Sequence, residues 1–363
     1  MISAVVVTIA GICLLASFLP LVPIAHGFFR SFDFCRLQVI TLSAATLVAA
    51  LIDLYIVWPP TILAMTAVGM AIAALVIQTI HVLPFTPVMK KQTMHFRGDP
   101  EKTPTLSILT SNVKQANTDY SAVTDLIAEK KPDIAVFMET DEGWAKALRP
   151  ALSDFREIVD YPQDNTYGII FASRLPVKTH KIEFLLNKEV PSVFVTVTLP
   201  EGRDVRVVAL HPEPPLPVRD TVGRDAEILL VAEVARDEDG PMIVTGDLND
   251  VAWSRTTRRF LRISRLLDPR QGRGLYNSFD ARYWFLRWPL DHIFHSRHFQ
   301  LIEIERQPFV GSDHFPMYYR FALSGGERNG HPPDATEADI EETEELVAEE
   351  KSRDRPPVGT DWE

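Results

Sequence analysis

Three stretches of the chain are nearly free of charge, and the remainder alternates short apolar runs with polar ends. Residues 1–29 contain no Asp, Glu, Lys or Arg, residues 37–59 contain only Asp53, and residues 60–89 again contain none. A helix of about 20 apolar residues crosses the hydrocarbon core of a bilayer. The pattern therefore predicts a membrane anchor over 1–84 with transmembrane helices at about 2–25, 37–57 and 60–84. A cleaved signal peptide fits the first run poorly, because it lacks a basic leading region and two further spans follow. Trp58-Pro59-Pro60 is a tight turn that makes a hairpin of the second and third spans.

A linker with prolines and Lys90-Lys91 occupies 85–104, and a globular domain is expected over 105–323. Strand signals fall at 106–110, 133–137, 168–172, 192–198, 205–210, 242–245, 292–295 and 315–321. Helical spacing marks 120–130 (Val123, Leu126, Ile127) and 221–236 (Ile228, Leu229, Val231, Ala232, Ala235). Strands interspersed with helices predict sheets packed as a core and covered by helices.

Charge changes this picture at one end only. Residues 324–363 hold 13 acids against 4 bases, so this tail carries −9 of the net −11. With few large apolar groups it reads as an acidic disordered appendage. The near-neutral body lacks the basic signature of a nucleic-acid binder. The two cysteines, Cys13 and Cys35, lie in or beside the spans, so the soluble domain has no disulfide framework or thiolate metal site. No internal repeat, Walker loop or Gly-rich dinucleotide fingerprint is present.

Candidate chemistry lies where apolar runs end: Ser111-Asn112, Met138-Glu139, Gly246-Asp247-Leu248-Asn249, Leu290-Asp291-His292 and Ser312-Asp313-His314. Acids, amides and a histidine at several strand ends can converge on one divalent cation and one phosphate, the equipment of metal-assisted phosphoester hydrolysis. Singly, each has a plainer reading. Glu139 reads equally as a metal ligand or a helix-capping acid; Asp247–Asn249 is a sharper signal, for which an Asx turn is the common plainer reading. His211, ahead of the rigid Pro212-Glu213-Pro214-Pro215, could donate to a phosphoryl oxygen or sit in an ordinary loop.

The ordered series resembles the endonuclease/exonuclease/phosphatase superfamily, of deoxyribonuclease-I-like fold, over about 105–322. The resemblance also rests on Tyr167-Gly168, Ser173-Arg174-Leu175-Pro176, Leu210-His211 and Gly311-Ser312-Asp313-His314-Phe315-Pro316. The stretches 210–215 and 249–254 look most like a bacterial membrane-tethered branch that includes glycopeptide-resistance-type proteins. The resemblance implies a four-layered α/β sandwich, two packed mixed β-sheets flanked by helices, behind the three membrane helices. It implies Mg²⁺ or Mn²⁺ at Glu139, with Asn112 and Asp313 near the metal. It makes His314 a general base or phosphate-contacting acid oriented by Asp291. Asp247 would orient or deprotonate the attacking water, and Asn249 and His211 would stabilise phosphoryl charge. His292 stands where deoxyribonuclease-type members often carry Arg or Tyr, which weighs against a nuclease.

The expectation is thus a multi-pass inner- or plasma-membrane Mg²⁺-dependent hydrolase of phosphoester or phosphoanhydride bonds, with a lipid-linked substrate. A nuclease, with nucleic acid as partner, and a catalytically inactive membrane interaction module are the alternatives. Arg219 and Arg224 read as contacts to a second phosphate or as exposed helix charges. The aromatic run 283–288 reads as core or as a bilayer-touching loop at the site's mouth. Arg30, Arg36, Lys90, Lys91 and Arg97 put the catalytic domain in the cytoplasm by the positive-inside rule. Some membrane-tethered relatives act on the outer face.

Overall fold

The computed structural model describes residues 2–325 and 329–360. Three helices, α1 (Ile2–Phe18), α3 (Arg36–Ile56) and α4 (Ile62–Val82), are long and apolar enough to cross a membrane. They meet through small side chains: Ala10, Ala50, Ala67, Ala71 and Ala74 are fully buried between them. Small residues let helix backbones approach closely where no hydrophobic drive separates protein from lipid. Helix α1 stops earlier than the apolar run, because Pro20 and Pro23 cannot continue it. The connection to α3 is itself a short helix, α2 (Gly27–Phe34), whose polar face was not anticipated as structure.

The soluble domain is the expected α/β sandwich. One sheet has six strands in the order β10-β11-β1-β2-β4-β3, the other five in the order β5-β6-β7-β8-β9. In chain order the strands are β1 (Thr105–Asn112), β2 (Ile134–Met138), β3 (Glu157–Tyr161), β4 (Ile169–Ser173), β5 (Val177–Glu183), β6 (Ser192–Thr198), β7 (Asp204–Ala209), β8 (Met242–Asp247), β9 (Asp291–His295), β10 (Phe299–Arg306) and β11 (Met317–Leu323). Period-two alternation sorts their side chains. Ile108, Val136, Phe171, Val195, Val207 and Ile243 meet between the sheets. The opposite faces are covered by α5 (Tyr120–Lys130) and α6 (Glu142–Leu148) on one side, and by α7 (Val222–Arg236) and α8 (Arg255–Ser264) on the other.

Two expectations are corrected. The linker at 85–104 is tied to the domain through residues 92–96. His95 bridges Leu301, Thr93 Oγ1 hydrogen-bonds His295 Nε2 at 2.7 Å, and Met94 N donates to Asn329 Oδ1 at 2.8 Å. The acidic tail, expected to be disordered, forms helix α9 (Glu337–Lys351) with a Thr336/Asp339 capping box. Its acids are matched by arginines 77 or more residues away: Asp339 binds Arg259 and Arg262, and Glu342 binds Arg255 and Arg259. Composition records the tail's charge but not the arginine face that neutralises it.

Anchor and domain share one interface. Phe34, Leu37, Val82 and Phe85 pack on Val251, Ala252, Trp253 and Leu290. The backbone of α2 begins against a loop of the domain, with Gly27 N donating to Arg219 O at 2.8 Å. A Cβ at Gly27 would sit 1.8 Å from Leu216 O, so only glycine fits.

Candidate active site

Strand register brings the polar ends together. β1 and β2 are parallel, with Asn112 opposite Met138, so Asn112 and Glu139 leave the sheet side by side. β7 and β8 are parallel, with Ala209 opposite Thr245, which sets His211 beside Asp247. Gly246 permits this approach: a Cβ there would lie 1.9 Å from Leu210 O. β9 runs antiparallel to β8 with Asp291 opposite Asp247, and β11, antiparallel to β1, delivers Asp313 and His314 to the same edge.

Asn112, Glu139, His211, Asp247, Asn249, Asp291, Asp313 and His314 lie together at this edge. Asn112 Nδ2 donates to Glu139 Oε1 at 2.7 Å and to Asp247 Oδ2 at 3.0 Å, bridging the two sheets. His314 Nδ1 lies 2.7 Å from Asp291 Oδ2, and its Nε2 lies 3.4 Å from Asp247 Oδ2. His211 Nε2 lies 3.8 Å from Asp247 and 3.3 Å from Asn249 Nδ2. Asp313 is bound by Lys114 Nζ at 2.6 Å, with Arg282 at 3.7 Å. Glu139, Asn249 and Lys114 adopt left-handed backbone with φ of 58°, 51° and 59°. Such strain in non-glycine residues gathers at functional sites.

The charges are arranged for phosphoryl chemistry. Burial acts against the His314 imidazolium, but the Asp291 and Asp247 carboxylates outweigh it and push its pKa up to about 10. At neutral pH His314 is therefore a cation and a proton donor. Burial holds His211 below the usual histidine range, despite Asp247 nearby, so its ring is neutral. Burial raises the pKa of Glu139 and of Asp247, marking carboxylates short of counter-charge. Among the described residues no three His, Cys, Asp or Glu enclose a metal. The donors at hand are oxygens, and Mg²⁺ is ordinarily held by one or two carboxylates plus waters. Glu139 therefore fits a hard divalent cation.

The His314 arrangement has a measurable consequence. Its folded pKa is above the unfolded value, so its contribution to stability is fully present below about pH 6.5. It is lost as pH rises through about 10. In chelator, the melting-temperature gap between wild type and His314→Ala should be widest near pH 6 and shrink by about pH 10.5. A gap that does not change with pH would remove the ion pair from the account.

Three residues take places that sequence reasoning did not assign. Arg224 is not a phosphate contact: it is fully buried, salt-bridged to Asp225, and its Nη1 donates to Asn249 O at 2.9 Å. It holds the Asp247–Asn249 turn from behind, while Arg219 is exposed. His292 points away from the site, its Nε2 bonded to Asp250 O at 2.8 Å and its Nδ1 to Arg270 at 2.7 Å. Strand alternation explains this, since neighbours on β9 face opposite sides. Lys114 was missed because it sits two residues past the strand end in a turn whose direction only its positive φ sets.

Residues 109–314 match the Endonuclease/Exonuclease/phosphatase family. No curated protein matches the chain by sequence. The crystal structure of D. rerio TDP2 complexed with single strand DNA product aligns with a TM-score of 0.51 at 16% identity, over 60% of this chain and 98% of that one. The mannosyl-6-phosphatase of Bacteroides thetaiotaomicron VPI-5482 aligns with a TM-score of 0.48 at 18% identity, over 60% and 99%. At 16% identity the likeness to TDP2 concerns the fold alone.

Proposed function

Because the chain belongs to the endonuclease/exonuclease/phosphatase family, we propose that it is a membrane-anchored, Mg²⁺- or Mn²⁺-dependent hydrolase of a lipid-linked phosphate ester or pyrophosphate. One observation carries the lipid reading. The loop 280–288 runs from the active site to the start of the membrane helices. At one end Ala281 N donates to Asp313 O at 2.7 Å, and Arg282 faces Asp313. At the other, Trp288 Nε1 donates to Phe34 O and Gln38 of α3 donates to Phe285 O at 3.0 Å. Between these ends Trp284 is 83% exposed, with Tyr283 and Phe285 beside it. Exposed aromatics at the end of a span favour the headgroup zone.

In this reading the chain's own groups position and stabilise. His314 donates to a phosphoryl oxygen or the leaving oxygen, with Asp291 fixing its ring. Asp247 orients the attacking water, and Asn249 and His211 line the phosphoryl oxygens. A divalent ion at Glu139 would neutralise phosphate charge and acidify bound water. Charge neutralisation and in-line positioning account for most of the rate in phosphoryl transfer.

The test uses the full chain in vesicles, with Mg²⁺ or with chelator, on a lipid pyrophosphate, a soluble phosphoester and a DNA oligonucleotide. Metal-dependent turnover of the lipid is expected. Trp284→Ala should lower lipid hydrolysis by about tenfold while leaving the soluble ester within about twofold. Trp288 is the poorer probe, since it packs on Phe34 and Phe279, and Phe279 contacts the His314 ring. Preferred DNA cleavage would establish a nuclease instead. No hydrolysis of any of the three would leave a membrane interaction module.

A further inference from the structure

A cavity of about 320 Å³ lies where α4 meets the domain. None of the active-site residues lines it. Its walls are Pro84 and Phe85 after α4, Ala252 and Leu261, and the segment 331–333, with Arg258 and Arg262 of α8 supplying charge. Helix α8 carries arginines at 255, 258, 259 and 262. Three are matched by α9, through Asp339 and Glu342. Arg258 is the exception: its Nε donates to Ser254 O at 3.2 Å, and among the described residues it makes no ion pair.

Depth decides what this cation faces. The third span runs Ile62–Phe85, 24 residues. At 1.5 Å per residue this is about 36 Å, longer than the roughly 30 Å hydrocarbon core. With Ile62 at the far edge of that core, the last four residues of the span, 82–85, stand at headgroup level on the domain side. Leading to them, Ile72, Val76 and Ile80 form an exposed apolar stripe on one face of α4. The cavity has room for a headgroup only, and the stripe would receive acyl chain. We propose that this cavity binds the phosphate headgroup of an anionic membrane phospholipid, with Arg258 as its anchoring cation, separately from hydrolysis.

The electrostatics agree with the geometry. The Arg258 side chain is exposed, and Arg36, Arg262 and Arg255 surround it with like charge that Asp33 offsets only in part. Asp33 is already bonded to Arg36 at 2.6 Å, so an incoming phosphate meets an accessible Arg258 guanidinium that no described carboxylate occupies. A lipid phosphate can pair two of its oxygens with the planar guanidinium fork.

The experiment is native mass spectrometry of the full chain in detergent, titrated with phosphatidylglycerol or phosphatidylcholine. Wild type should retain one phosphatidylglycerol at least about tenfold more tightly than phosphatidylcholine. Arg258→Gln should abolish that preference, and Arg258→Lys should restore part of it. Millimolar inorganic phosphate should not displace the lipid. Equal retention of the two lipids, or an unchanged preference in Arg258→Gln, overturns the proposal. Displacement by inorganic phosphate alone would make this a free-anion site and overturn it as well. If the glutamine variant does not fold, wild type still decides: phosphatidylglycerol must raise its melting temperature more than phosphatidylcholine does. None of these readouts involves turnover, so they stand or fall apart from the hydrolase reading.

Discussion

Asp247→Asn should lower kcat by about 10²- to 10⁴-fold while leaving the melting temperature unchanged or raised. The kinetic loss is the usual scale for removing a group that orients or takes a proton in the transition state. The stability gain follows from burial. Asp247 is a desolvated carboxylate whose pKa is raised despite the His314 charge nearby, so its ionised form is held at a cost. An amide of the same shape removes that cost. The variant also removes one of the two carboxylates that hold His314 protonated, so residual activity should lose its proton donor at a lower pH than wild type. Glu139→Gln should act differently. It should raise the Mg²⁺ concentration for half-maximal activity by more than about tenfold, with part of the rate recovered at high metal. Full activity at ordinary metal in either purified variant would remove the site from catalysis. A lowered melting temperature for Asp247→Asn would instead show that its hydrogen bonds to Asn112 and Asn249 outweigh its burial.

The second large effect is expected from taking away the anchor. A fragment of 105–323 should aggregate, or melt far below the full chain in detergent. The anchor covers Val251, Ala252, Trp253 and Leu290, all buried, and burying a large apolar side chain contributes about 1.5–3 kcal/mol. Trp253 Nε1 also loses its acceptor, Asp33 O, at 2.8 Å. Arg30 no longer faces Asp225, the partner of Arg224 behind Asn249. Loss of residues 85–104 frees Thr93 from His295, and loss of α9 strips the arginines of α8 of their carboxylates. Several such losses approach the roughly 5–15 kcal/mol that stabilises a domain. Circular dichroism melting and limited proteolysis of the two proteins would measure it. A monomeric fragment with the full chain's melting temperature and activity would show that anchor and domain are independent.

Much of this molecule could be read from local pattern. A long run nearly free of charge favours an apolar helix, so the three helices long and apolar enough to cross a membrane were visible without a structure. The site residues were visible for a related reason: each polar residue interrupts an apolar strand at its end, where the chain leaves the core. The helices at 120–130 and 221–236 announced themselves by their apolar spacing. What pattern does not contain is the partner across the chain. Tail residues 337–351 look like a solvated acidic segment until Arg255, Arg259 and Arg262 are brought opposite them. Arg224 looks like a surface charge until the turn at Asn249 closes over it. Residues 92–96 look like a tether until β10 and His295 accept their hydrogen bonds. Helix α2 looks like a loop between spans until the domain covers its polar face. Periodicity, charge and apolar length act within a few turns of the chain, and the sequence by itself determined what depends on them. Ion pairs and hydrogen bonds between segments far apart in the chain depend on which surfaces packing brings into register, and only the tertiary structure decided those.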